Sequence, residues 1–173
     1  MTTNREIVPL DPTERSDWMQ LVGNTLAKGQ NLTAQELTLY AFVADRLGLD
    51  PFRRELYAIR YKGQAQFVIG LDGYLRRAVE PGQYDGHDVI LYCCEDGAWK
   101  DLWVSDKPPT GAKATVYRKG MRVGITYVAR WSTFARYFLD RQTNKMKLGE
   151  TWEAMPDLML GKCALTHALR EAF

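Results

Sequence analysis

The middle of this 173-residue chain is dominated by short alternating segments that fold back on themselves through tight turns. Tyr57, Ile59 and Tyr61 alternate with Leu56, Ala58 and Arg60, turn through Lys62-Gly63, and return as Ala65 to Ile69. Asp88 to Cys93 and Ala98 to Val104 flank Glu95-Asp96-Gly97, where Asp-Gly is a strong hairpin signal. Ala112 to Arg118 and Arg122 to Arg130 are joined by Lys119-Gly120-Met121. In the last strand Val123, Ile125, Tyr127 and Ala129 face one way. Arg122, Gly124, Thr126, Val128 and Arg130 face the other, so one face is core and the other is wet or ligand-bound.

Helical signals bracket these hairpins. A weakly amphipathic segment, Thr13 to Lys28, follows Asp11-Pro12. Thr33-Ala-Gln-Glu36 has the form of a capping box, and Leu37, Tyr40, Ala41, Ala44 and Leu47 then recur at helical spacing up to Gly48. Gly70-Leu-Asp-Gly73 reads as a turn, with Asp72 capping a short helix from Tyr74 to Val79. Ser132 to Asp140 reads as helix, Arg141 to Lys145 as a polar loop, and a last helix begins near Pro156. The class is α+β, an antiparallel sheet of central hairpins with flanking helices. At 173 residues one domain over 1–173 is expected, with residues 1–46 as an N-terminal helical region for subunit contact. The helical pattern runs to Phe173 without Gly or Pro to stop it, so a further C-terminal domain is expected in the natural protein.

Composition excludes several classes. With 46% hydrophobic and 25% charged residues, wholesale disorder and fibrous repeats are ruled out. No apolar run approaches the roughly 20 residues that span a bilayer, and no secretory signal opens the chain, so a cytoplasmic protein is expected. Cys93, Cys94 and Cys163 have neither disulfide-framework nor zinc-site spacing and are expected to be packing residues. Gly161-Lys162-Cys163 lacks the glycine and hydroxyl of a phosphate-binding loop. His87, between Asp85 and Asp88, reads as an exposed loop residue, and His167 as a helix-surface or core residue rather than a general base. No catalytic constellation is present.

The net charge of +2 conceals segregation. Residues 1–106 hold 11 bases and 16 acids, 107–147 hold ten bases and one acid, and 148–173 hold two bases and four acids. A segment of +9 calls for a polyanionic partner. Lys113, Arg118, Lys119 and Arg122 lie on or beside the third hairpin, interleaved with Tyr117, Tyr127, Trp131, Phe134 and Tyr137, which offer stacking surfaces. On the last helix, Lys162, Thr166 and Arg170 recur every four residues as one polar stripe, read either as a wall of a groove or, for Arg170, as a cap on the helix dipole.

Several motifs occur in order: Leu47-Gly-Leu-Asp-Pro-Phe52, Glu55-Leu-Tyr-Ala-Ile59, Ile69-Gly-Leu-Asp-Gly-Tyr74, Val116-Tyr-Arg-Lys-Gly120, and Met155 to Cys163 with Ala168 to Phe173. Together they resemble the phage recombination proteins of the Bet type, in the RecT and lambda Red beta superfamily. The resemblance implies ATP-independent annealing of single-stranded DNA, a core similar to the annealing domain of Rad52, and a homo-oligomeric ring or helical filament. It implies no required cofactor, Mg²⁺ being at most supportive. It also implies a phage exonuclease and a host single-strand binding protein as partners, reached largely through the C-terminal domain. By position, Arg54, Lys62, Lys119, Lys162 and Arg170 match places where the family puts DNA-contacting bases, whereas Asp157 stands where some relatives carry a base. The competing classes are a Mg²⁺-dependent nuclease using acids between Asp72 and Asp101, and a basic module binding RNA or protein.

Overall fold

The computed structural model describes residues 12–173 apart from 28, 62 and 141, so Lys62 lies outside the described residues. It is an α+β structure that divides into two compact units, residues 1–73 and 74–173.

Unit 1 is two helices, α1 (Pro12–Asn24) and α2 (Ala34–Leu47), with a hairpin of β1 (Leu56–Tyr61) and β2 (Gln64–Ile69). The capping box forms as expected. Thr33 Oγ1 accepts from the Glu36 amide, and the Glu36 carboxylate accepts from the Thr33 amide. Gly48 ends the helix at φ 62°, where a Cβ is disfavoured. The same Glu36 carboxylate pairs with Arg60 at 2.7 Å. The Thr33 amide and then Arg60 hold its pKa below the ordinary carboxylate value. Val22, Tyr40, Ala44, Leu49 and Leu56 form the core, and the buried Tyr40 hydroxyl donates to the Leu56 carbonyl at 2.7 Å.

The Leu47–Ile59 motifs build a lock. Asp50 Oδ1 accepts from the Phe52 amide and starts a 3₁₀ turn, Pro51–Arg53. The Glu55 carboxylate is buried and accepts from the Asp50 amide at 2.7 Å. The Glu55 carbonyl in turn accepts from the Gly70 amide. A Cβ on Gly70 would strike the Arg54 carbonyl and come within 2.6 Å of the Tyr57 ring, and one on Gly73 within 2.6 Å of the Glu55 carbonyl. Helix α3 (Leu71–Val79) begins before the expected Tyr74 and takes Asp72 and Gly73 into its first turn. Those glycines serve close approach to the Arg54–Glu55 backbone.

Unit 2 carries a five-stranded antiparallel sheet of β3 (Tyr84–His87), β4 (Leu91–Cys93), β5 (Trp99–Lys100), β6 (Gly111–Arg118) and β7 (Ile125–Arg130). β6 is central: β7 pairs along one edge, while β4 and β3 share the other. His87 is in β3 rather than a loop, and is exposed. The expected helix over 132–140 is shorter. Helix α4 spans Trp131–Phe134, and β8 (Tyr137–Asp140) then pairs with β9 (Lys145–Leu148) as a separate hairpin. Short α5 (Glu150–Ala154) precedes α6 (Pro156–Ala172), which packs on β6 and β7. The three cysteines are free and half-buried. No helix among the described residues is long and apolar enough to cross a membrane.

Two outcomes follow for unit 1. Gly70→Ala should lower stability by about 1–3 kcal/mol, the usual range for overpacking, read as a lower urea midpoint. Burial pushes the Tyr40 phenol up to about 12. The folded state thus holds that proton more tightly than the unfolded chain, so this stabilisation is whole below pH 10 and is lost as pH rises from 10 to about 12. In Tyr40→Phe, stability measured across that window should fall less steeply.

Candidate nucleic-acid interface

The alternation of β6 decides which of its side chains are available. Ala112, Ala114 and Val116 are buried toward α6, with Ile125, Tyr127 and Ala129 of β7 on the same side by register. The helix meets them with Leu160, Gly161, Ala164, Leu165, Ala168, Leu169 and Ala172. A Cβ on Gly161 would come within 2.9 Å of the Tyr92 hydroxyl, so glycine permits β4 to close on the helix.

The opposite face of the sheet is open. It carries Lys113, Thr115 and Tyr117 of β6 and Thr126, Val128 and Arg130 of β7. Lys113 Nζ lies 4.6 Å from the centroid of the Trp99 ring, which is within cation–π range. Thr115 and Thr126 hydroxyls bond at 2.9 Å, and the Tyr117 hydroxyl donates to Asp88 Oδ2 at 2.9 Å, which raises the tyrosine's pKa. Gly124 leaves room for this row, since a Cβ there would approach Thr115 and Tyr117 within 2.6 and 2.8 Å. Lys119 and Arg122 are exposed in the segment joining β6 to β7.

Lys162 and Arg170 are exposed on α6, on the side away from the sheet, with Thr166 half-buried between them. Lys113 and the Lys162–Arg170 stripe therefore occupy the two outer surfaces of a helix-on-sheet sandwich. Unit 2 does not bring them together as two walls of one groove. Lys113, Lys119, Arg122, Arg130, Lys162 and Arg170 have no salt bridge among the described residues.

Arg118 behaves differently. Being in phase with Ala112, Ala114 and Val116, it turns toward α6. There Nη1 donates to the Ala172 carbonyl at 2.8 Å and Nη2 to Gln83 Oε1 at 2.6 Å, and the guanidinium lies 5.3 Å from the Phe173 ring centroid. A cation donating to carbonyls at a helix C-terminus is favourably placed. In unit 1, Arg54 is exposed and takes a left-handed backbone, φ 61°, at the end of the 3₁₀ turn.

Most aromatics of the basic segment are packed. Tyr127 stacks on His167 at 4.6 Å, Phe134 meets the same imidazole edge-on at 5.2 Å, and Trp131 packs on Trp152. Burial, then the Arg170 charge, lowers the His167 pKa, as befits a packing residue. Tyr117 and Tyr137 remain exposed. Sequence reasoning left out Arg130 and Trp99 from the site. The signal was register: the third hairpin puts Arg130 opposite Gly111, and the Asp96-Gly97 turn puts Trp99 opposite Cys93. Among the described residues, no three His, Cys, Asp or Glu side chains group as a metal site.

The RecT family model matches residues 14–173. The Recombination protein bet of Escherichia phage lambda is 25% identical over 169 residues, which cover 97% of this chain and 58% of that protein. The chain thus spans less than two thirds of the length of that curated relative.

The contrast between neighbouring bases is testable. Arg118→Ala should lower the thermal midpoint, consistent with a net loss of about 1–3 kcal/mol for hydrogen bonds from a charged group. Lys119→Ala, at an exposed turn position, should leave the midpoint unchanged.

Proposed function

The chain belongs to the RecT family, and on that premise we propose that it anneals complementary single strands of DNA without ATP, as a recombination protein. The carrying observation is the set of cations without acid partners among the described residues, exposed Lys119, Arg122, Arg130, Lys162 and Arg170 with half-buried Lys113, spread over both outer surfaces of unit 2. Such cations neutralise phosphates and release condensed counterions, which gives affinity without reading sequence. A strand held by its backbone keeps its base edges free, so complementarity is tested by pairing with the incoming strand. The protein acts by holding and aligning, and no bond-making step is assigned to a side chain.

The two surfaces are separated by α6 and the sheet. In this reading a homo-oligomer, ring or filament, brings the helix surface of one copy near the sheet surface of another, and the strands run between them. Work in the bacterial cytoplasm, beside a phage exonuclease and a host single-strand binding protein, belongs to the same reading. So does the absence of a required cofactor.

If about six phosphates are neutralised per copy, the logarithmic salt slope for single strands is roughly −4. A fourfold rise in salt should then weaken binding by a few hundredfold. Lys113→Ala, Lys119→Ala and Lys162→Ala should each weaken annealing of complementary oligonucleotides at moderate salt and flatten the slope by about 0.7. Arg46→Ala, on exposed α2 surface, should change neither. Equal losses in all four variants, or shortening of a labelled strand in Mg²⁺, would overturn the proposal.

A further inference from the structure

The hairpin of unit 1 has an outer face that the charge pattern does not reveal. Leu56, Ala58, Phe67 and Ile69 point into the core. The other face sets Tyr57, Ile59 and Tyr61 of β1 across from Val68, Gln66 and Gln64 of β2. Tyr57 is 44%, Ile59 40%, Tyr61 50% and Val68 42% exposed. Four large apolar side chains side by side on one two-stranded face form a patch rather than scattered exposure.

A cation is fixed at one end of this patch. Arg54 precedes β1 with a left-handed backbone, which costs a non-glycine residue about 1–2 kcal/mol and persists where the surroundings impose it. Here they do: the Arg54 amide donates to the Pro51 carbonyl, and the Arg54 carbonyl faces Gly70, whose missing Cβ also seats the Tyr57 ring. Burial raises the Tyr57 phenol's pKa, the Asp72 charge raises it further and the Arg54 charge lowers it, so Arg54 lies near enough to act on the ring. Arg54 and Tyr57 also line a pocket of about 290 Å³ with Leu26, Tyr40, Pro51 and Leu56. The Gln64 and Gln66 side-chain amides beside the rings each offer both donors and an acceptor, so any base edge can be met.

We infer that this face is a base-stacking platform for single-stranded DNA, on which Tyr57 and Tyr61 stack unpaired bases while Arg54 holds a phosphate at the Tyr57 end. The inference rests on the proposed DNA-annealing function and adds base contacts in unit 1 to the phosphate contacts of unit 2. Rings flanked by a guanidinium are the combination single-strand sites use, and stacking tolerates every sequence, as annealing requires. A contact with a second copy through the same face would have to bury Gln64, Gln66 and Arg54 against partners of matching geometry.

The test uses the full chain with oligonucleotides carrying 5-iodouracil, irradiated and mapped by mass spectrometry, together with anisotropy titrations across salt. Crosslinks should fall on Tyr57 or Tyr61. Tyr57→Ala and Tyr61→Ala should each weaken single-strand binding by about tenfold with an unchanged salt slope, and Tyr57→Phe and Tyr61→Trp should retain it. Arg54→Ala should flatten the slope by about 0.7. Tyr61→Ala carries the test if Tyr57→Ala, which loses its seat on Gly70, fails to fold. Wild-type affinity in both alanine variants, crosslinks confined to other segments, or altered sedimentation with intact DNA affinity would overturn the platform; the last result would make the face a subunit contact. Should Lys119→Ala weaken binding while the tyrosine variants do not, the platform alone falls. A wild-type chain that binds no single strand would remove the annealing function itself.

Discussion

The seam between α6 and the β6–β7 pair carries many small residues: Ala164, Ala168 and Ala172 on the helix, Ala112, Ala114 and Ala129 on the sheet. Small side chains let helix and sheet approach closely and leave no space for a charged head. An unpaired charge buried there would cost several kcal/mol, so the cations of this unit are driven to its two outer surfaces. Strand alternation then assigns Lys113 to one surface, and helical period assigns Lys162 and Arg170 to the other. Arg118 turns toward the helix layer and is accommodated because the Ala172 carbonyl, Gln83 and the Phe173 ring supply its partners.

Unit 1 depends on a backbone contact. The Arg54–Glu55 carbonyls lie against two glycines, Gly70 and Gly73, and the Glu55 carboxylate holds the Asp50 amide from the other side. Three motifs that look separate in sequence, around Asp50, Glu55 and Gly70, are therefore one structural lock. Its product is an Arg54 held in a left-handed backbone and a Tyr57 ring that lies against Gly70 and is 44% exposed.

Local signals carried much of this fold. The capping box at Thr33, the left-handed Gly48 and the turns at Gly63, Gly97 and Gly120 depend on residues within a few positions, and each forms where it was expected. The failures come from contacts distant in sequence. Gly73 reads locally as a turn glycine, yet it sits in a helix, and its missing Cβ accommodates a carbonyl eighteen residues earlier. Ser132 to Asp140 satisfies helical spacing, yet Tyr137–Asp140 is strand because Lys145–Leu148 pairs with it. A cue was present there: Asp140 accepts from the Gln142 amide and the Thr143 hydroxyl, an aspartate turn that closes a hairpin. For the candidate site, the residue types and the charged segment were legible. The sides on which they lie were not, since Arg118 and Lys119 differ by one residue in sequence and entirely in environment.

The division into units also relocates the acidic surplus. Residues 1–73 hold nine acids and eight bases, close to balance, while 74–106 hold seven acids and three bases. The surplus thus belongs to the stretch that supplies β3 to β5, alongside the basic β6. Among the described residues, two of these acids reach the basic segment through their side chains, Asp88 to Tyr117 and Glu95 to Lys107. Both are on exposed surface, where such pairs contribute little to stability. They bear instead on where a polyanion can lie: acids on the β3–β5 side repel it, and the uncompensated bases of β6, the following turn and β7 attract it. A near-neutral chain can in this way define one edge of a polyanion track by repulsion and its bed by attraction within a single sheet.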